Sequence, residues 1–115
     1  MNDHSIAEKI TEYIDSHLDD DLSLDSISAV LHYSKFYIAR AFREKTGTTI
    51  YKYIREQRLS LAAWKLAGTD KPIIEIAYEA HYASQQAFML AFCRLYHCTP
   101  QTYRKNTLKG GMMAA

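Results

Sequence analysis

Two short segments of this 115-residue chain place basic, aromatic and amide side chains at helical spacing. In the first segment, Ile38, Ala41 and Phe42 form one apolar face. The side chains that fall away from this face are Lys35, Phe36, Ala39, Arg40 and Arg43. Arginine pairs bidentately with guanine, and lysine and arginine neutralise phosphates. The segment predicts nucleic-acid contact, with the alternative of a solvated basic face and a ring at position 36 tucked into the core.

The second segment opens on two amides. Gln85 and Gln86 stand in its first turn, and glutamine can pair with adenine. Other apolar residues of this segment are enough to form its buried face. Met89 and Leu90 are therefore available for contact with DNA. The alternative interpretation is that they add to the packing of the core. Arg94 adds a basic residue to this segment.

The charge distribution along the chain is uneven although the net charge is only +1. Residues 1–31 hold eight of the 13 acidic residues and one of the 14 basic residues. This asymmetry predicts a basic face for a polyanion and an acidic face turned away or toward a partner. Charges that merely decorate solvated helices are the alternative. The candidates for the basic face are Lys35, Arg40, Arg43, Lys45 and Arg94, with Lys52 and Arg104 as weaker ones.

The two segments belong to a half-domain that occurs twice, at residues 32–55 and 81–105. Each copy reads as a short helix, a tight turn and a second helix, with Ser34 or Ser84 as the capping residue. This is the outline of a helix-turn-helix, whose second helix enters the major groove of DNA.

The wider pattern predicts an all-α fold of about seven helices, because no segment shows the alternation of a strand. We expect two helix-turn-helix subdomains joined by a long linker helix that Thr49 caps. The predicted divisions are an N-terminal subdomain at 1–49, the linker at 50–68, a C-terminal subdomain at 69–106 and a flexible tail at 107–115.

The sequence lacks the signals of several classes of protein. No apolar run reaches the length of a membrane span, and the first residues do not resemble a signal peptide. Two cysteines without a secretory signal indicate a reducing cytoplasm. The sequence has no glycine-rich phosphate loop, no HExxH and no nucleophile with recognisable partners, so we expect neither an enzyme nor a cofactor.

A metal site is a weaker hypothesis. Cys93 and His97 are four residues apart on one helix face, with Cys98 adjacent. They supply at most three ligands, without the paired CxxC spacing typical of structural zinc. We therefore expect no metal.

The sequence resembles the DNA-binding domain of the AraC/XylS family of transcriptional regulators, and within it the small MarA, SoxS and Rob activators. The resemblance covers residues 6–105. The motifs that support it are YIDSHLDDDLSLDSIS, YSKFYIARAFREKTG, YIREQRL, the SQQ of YASQQAF, and CTPQTYRK.

The resemblance implies a monomer that binds double-stranded promoter DNA, with RNA polymerase as a protein partner and control by its own abundance. It places Phe36, Tyr37, Ala39 and Arg40 at the base-reading positions of the first recognition helix. On the second helix Gln85 and Gln86 match the family. Three positions depart from the threonine, serine and arginine usual in this group, namely Ala87, Met89 and Leu90.

Three histidines, His32, His81 and His97, stand where the wider family often has glycine. Glycine there would fit a turn with positive φ, and histidine is among the few other residues enriched in that conformation. We therefore expect three left-handed turn residues.

Two functions remain after these steps. The first is a transcription activator that binds promoter DNA. The second is a protein-interaction module that has kept the fold and lost specific DNA reading, which the apolar second helix and the near-neutral net charge favour. The basic residues, Arg40 and the SQQ element favour the first.

Overall fold

A computed structural model describes residues 3–110 of the chain, with side chains for residues 6–107. The described residues form seven helices and no strand, which confirms the predicted fold class. The helices are α1 (Asp3–Ser16), α2 (Leu24–Leu31), α3 (Lys35–Thr46), α4 (Ile50–Gly68), α5 (Ile73–Glu79), α6 (Gln85–Tyr96) and α7 (Pro100–Gly110). The chain divides into two compact units, with the boundary between Gln57 and Arg58 inside α4.

Two details of the helices differ from the sequence prediction. Helix α7 continues to Gly110, so residues 107–110 of the predicted tail are helical, and residues 111–115 lie outside the described residues. The fixed φ of Pro72 predicts a place in the first turn of the following helix, whereas Pro72 is the N-cap of α5 with extended backbone and precedes that turn.

Side-chain hydroxyls begin five of the seven helices, and three of them, Ser34, Thr49 and Ser84, are the predicted caps. Each hydroxyl accepts the backbone N–H three residues further on, which satisfies a donor that the helix leaves unpaired. The capping residues are Ser23, Ser34, Thr49, Ser84 and Thr99.

The first unit buries the apolar stripe of α1 against α2, α3 and the start of α4. Its core consists of Ile6, Ala7, Ile10, Ile14, Ile27, Ile38, Ala41, Phe42, Ile50 and Ile54. A polar contact joins α1 to α4, because Tyr53 donates to the Asp15 carboxylate at 2.9 Å and accepts from Gln57 Nε2 at 3.2 Å. Burial, and then the bond to Asp15, raise the pKa of Tyr53 to about 12.

The second unit is built around aromatic rings. Its buried core is Leu59, Ala62, Ala63, Leu66, Ile76, Ala77, Ala80, Phe88 and Phe92. Phe92 is fully buried and contacts the rings of Phe88, Tyr96 and Tyr103. These contacts join α6 to α7.

Three histidines adopt the left-handed backbone conformation, as the sequence predicts. The φ angles are 64° for His32, 71° for His81 and 65° for His97, beside 78° for Gly47. His32, Gly47 and His97 each donate their N–H to the carbonyl four residues earlier, which ends α2, α3 and α6.

A matched pair of substitutions in the first unit tests the energetics of these turns. We expect His32→Gly to raise the free energy of unfolding and Gly47→His to lower it, each by about 1 kcal/mol, because a side chain is costly in this conformation. A Cβ added at Gly47 meets no atom within 4 Å, so the expected loss comes from the backbone alone. Urea unfolding measures both values. Equal stability of Gly47→His and the parent protein would contradict this account.

Glu79 ties α5 to the preceding segment of the second unit. Its two carboxylate oxygens accept from Lys65 at 2.8 Å and from Lys71 at 2.6 Å. These two hydrogen bonds lower the pKa of Glu79 below its ordinary value of 4.5. A carboxyl with a lowered folded-state pKa stabilises the fold above the unfolded-state pKa, and this contribution is lost as the pH falls through the folded-state value.

We therefore expect Glu79→Gln to lower the melting temperature at neutral pH and to reduce the loss of stability on acidification. Thermal unfolding followed from neutral pH to about pH 3 measures this dependence. Glu75→Gln is the control, because Glu75 is an exposed carboxylate on the same helix. If both variants show the same pH profile as the parent protein, the Glu79 bridge does not contribute.

Candidate nucleic-acid interface

Helix α3 presents an exposed face of the residue types that contact DNA. Ser34 begins the helix, and Ile38, Ala41 and Phe42 are buried on its inner side. The exposed side carries Phe36, Arg40 and Arg43. Phe36 is 78% exposed, so the alternative in which this ring packs in the core is wrong.

Lys35, in the first turn of α3, has two neighbours that the sequence did not predict. Its Nζ lies 3.2 Å from the Asp25 carboxylate of α2 and 5.9 Å from the centre of the Phe36 ring. Exposed ion pairs of this kind contribute at most about 1 kcal/mol, so a phosphate can replace the carboxylate at small cost. No helical spacing indicated the pair, because its two members lie on different helices.

Two other predicted base-reading residues of α3 are partly covered. Ala39 is half-buried, and Tyr37 packs against the core with its ring 5.5 Å from that of Tyr33. Tyr37 therefore lies between the exposed face and the core, and its ring helps to hold the turn before α3.

Helix α6 has the same construction with different side chains. Ser84 caps it, and Phe88 and Phe92 are buried. Gln86, Leu90 and Arg94 are exposed at intervals of four residues and share one face, while Gln85 and Met89 are half-buried. Leu90 is 63% exposed, so the interpretation of this residue as extra packing is wrong.

Helices α3 and α6 contain 12 residues each and begin 50 residues apart. Arg40 and Leu90 therefore occupy equivalent positions, as do Phe36 and Gln86. The guanidinium of the first helix, which can form a bidentate pair, is replaced by an apolar side chain on the second. The predicted DNA-contacting residues of α3 lie together in the first unit, and those of α6 lie together in the second unit.

The two weaker basic candidates have different surroundings. Arg104 donates from Nε to the Leu66 carbonyl at 2.9 Å and from Nη2 to the Thr69 carbonyl at 3.0 Å. It satisfies backbone groups at the end of α4, so its role is structural. Lys52 lies exposed in the first turn of α4.

Cys93 and Cys98 are half-buried free thiols, and His97 between them ends α6. Over residues 3–110, no group of three or more histidine, cysteine, aspartate or glutamate side chains is arranged to hold a metal ion. No helix within the same range is long and apolar enough to cross a membrane.

Comparison with known proteins agrees with this geometry. A family model described as a helix-turn-helix domain matches residues 27–106. The regulatory protein SoxS of Salmonella typhimurium strain LT2 is 41% identical over 104 residues, which cover 90% of this chain and 97% of that protein. The right origin-binding protein of Escherichia coli strain K12 is 39% identical over 106 residues, which cover 92% of this chain and 37% of that protein.

A solved structure shows the same fold. The DNA-binding domain of the global transcriptional factor AdpA, in complex with a target DNA, superposes with a TM-score of 0.82 at 22% identity, covering 91% of this chain and 95% of that one. The fold and the two exposed helix faces define a helix-turn-helix protein. The chain belongs to the AraC/XylS family of DNA-binding transcription regulators.

Proposed function

We propose that this chain is a sequence-specific activator that binds promoter DNA as a monomer, with α3 and α6 in adjacent major grooves. The observation that supports this most directly is the exposed face of α3. Phe36, Arg40 and Arg43 occupy one side of a helix whose other side is buried, and a helix of this kind can enter a groove without disturbing its core.

The two helices read different bases in this proposal. Arg40 forms a bidentate pair with guanine in the first half-site. Gln85 and Gln86 read the second half-site through amide contacts, and Met89 and Leu90 contact thymine methyl groups. The binding site is therefore asymmetric, and one chain occupies it.

Membership of the family supports the role as an activator and the choice of partner. SoxS and the right origin-binding protein are named as a regulatory protein and an origin-binding protein, and the sequence of this chain resembles the small activators of the family. We infer that its protein partner at the promoter is RNA polymerase and that it acts in the cytoplasm. The proposed role needs no catalytic group and no cofactor.

Salt dependence tests the electrostatic part of the proposal. Each phosphate contact adds about 0.9 to the slope of log affinity against log salt concentration. We expect Arg43→Ala to weaken binding to all DNA sequences about equally and to reduce this slope by about one, because a phosphate contact carries no base information. Fluorescence anisotropy over a series of salt concentrations measures both quantities.

Lys9→Ala is the matched control, because it makes the same change of net charge on the acidic helix α1. It should leave the slope unchanged. Binding that is flat between low and physiological salt would contradict the proposal.

The alternative is a protein-interaction module, and the exposed apolar residues Phe36 and Leu90 are the observation in its favour. A selection of bound sequences from a random DNA pool separates the two functions. An asymmetric consensus bound by one chain supports the activator. No enrichment favours the interaction module, and a palindrome occupied by two chains contradicts the monomer.

A further inference from the structure

The only two cysteines of the chain flank the residue that ends α6. His97 adopts the left-handed conformation and donates its N–H to the Cys93 carbonyl at 2.7 Å. In a helix end of this type, side chains at the positions of Cys93 and Cys98 frequently contact each other. Both thiols are free and half-buried.

The end of α2 shows how closely these two positions approach in this chain. His32 has nearly the same φ and ψ angles as His97 and donates to the carbonyl four residues earlier, that of Ser28. The Ser28 hydroxyl in turn donates to the carbonyl oxygen of Tyr33. Ser28 and Tyr33 stand at the positions that Cys93 and Cys98 occupy around His97, so this type of turn can bring a γ atom at the first position to the backbone of the second.

The surroundings of Cys98 belong to the aromatic cluster of the second unit. Burial, followed by the charges of Tyr96 and Cys98, raises the pKa of Tyr103. Tyr103 in turn contacts Phe92 and Tyr96. Cys98 is half-buried in the short turn between α6 and α7.

We propose that Cys93 and Cys98 form a dithiol modification site, which a low-molecular-weight disulfide oxidises to an intramolecular disulfide. One cysteine thiolate attacks the small disulfide and releases one small thiol, leaving a mixed disulfide on the protein. The second cysteine thiolate then attacks the protein sulfur and releases the second small thiol. The two cysteines lose two electrons and two protons, and the small disulfide gains them as two thiols.

The oxidation of this site requires no DNA. The site lies at the C-terminal end of α6, on the helix proposed for the second half-site, at the position equivalent to Arg43 of α3. Closing the bond around His97 fixes the end of that helix. The chemistry can therefore be followed without DNA, and its failure leaves the proposed function untouched.

The experiment exposes the folded protein to oxidised glutathione, blocks the remaining thiols by alkylation and records the intact mass. We expect a monomer lighter by two hydrogens, without a retained glutathione adduct. Trypsin cleaves after Arg94, between the two cysteines, so the disulfide joins two tryptic peptides that separate on reduction. Cys93→Ser and Cys98→Ser should each accumulate one glutathione adduct.

The same reaction in denaturant is the matched control, because two cysteines this close in sequence can also pair in an unfolded chain. Ring closure should be faster in the folded protein, since the turn holds the thiols together. His97→Gly should close as fast as the parent protein, because glycine keeps the left-handed turn. Stable double adducts, disulfide-linked dimers, no oxidation, or closure no faster than in denaturant would each overturn the proposal.

Discussion

Replacing Arg40 with alanine is expected to relax the sequence preference of the first half-site while leaving the fold intact. Arg40 is exposed on α3, so its loss opens no cavity. A bidentate arginine–guanine pair contributes about 1–3 kcal/mol of discrimination against the wrong base. At the paired position, the ratio of affinities for guanine and its competitors should therefore fall roughly five- to 150-fold. Binding profiles against a randomised site measure this ratio.

The equivalent residue of α6 supplies the comparison. Leu90 cannot form a hydrogen bond, so Leu90→Ala should remove at most a thymine preference at the second half-site. Leu90→Arg should raise affinity by adding a phosphate or base contact. The proposed division of roles fails if Arg40→Ala keeps the preferred sequence and Leu90→Ala abolishes it.

Local rules were sufficient to predict much of the fold. A serine or threonine hydroxyl three residues before its backbone partner requires no tertiary information, and the caps Ser34, Thr49 and Ser84 lie at their predicted positions. The left-handed turns at His32, His81 and His97 follow from the same local geometry. Helical periodicity also placed Phe36, Arg40 and Arg43 away from the core side of α3.

Features that depend on two distant segments could not be predicted in this way. The pairing of Lys35 with Asp25 requires the angle at which α2 meets α3. The hydrogen bonds of Arg104 require α7 to lie against the end of α4. Periodicity alone also predicts Leu61 on the buried side of α4, whereas the structure buries Leu59 and leaves Leu61 half-exposed, because burial there depends on the helices that pack around α4.

The duplicated phenylalanines provide the largest expected effects on stability. Phe42 and Phe92 are equivalent residues, each fully buried at the centre of one unit. Truncation of a buried phenylalanine to alanine costs about 3–5 kcal/mol, against about 5–15 kcal/mol for the total stability of a typical small domain. Each substitution should therefore bring its own unit close to the unfolding threshold.

The two variants should differ in where protection is lost. The Phe42 side chain packs among residues of α1–α3 and the start of α4, and the Phe92 side chain packs among residues of α5–α7 and the end of α4. Hydrogen exchange should accelerate in α1–α3 for Phe42→Ala and in α5–α7 for Phe92→Ala. If hydrogen exchange accelerates equally in α1–α3 and in α5–α7 of each variant, the two units unfold together. Helix α4, which contributes to both cores, would then transmit the loss.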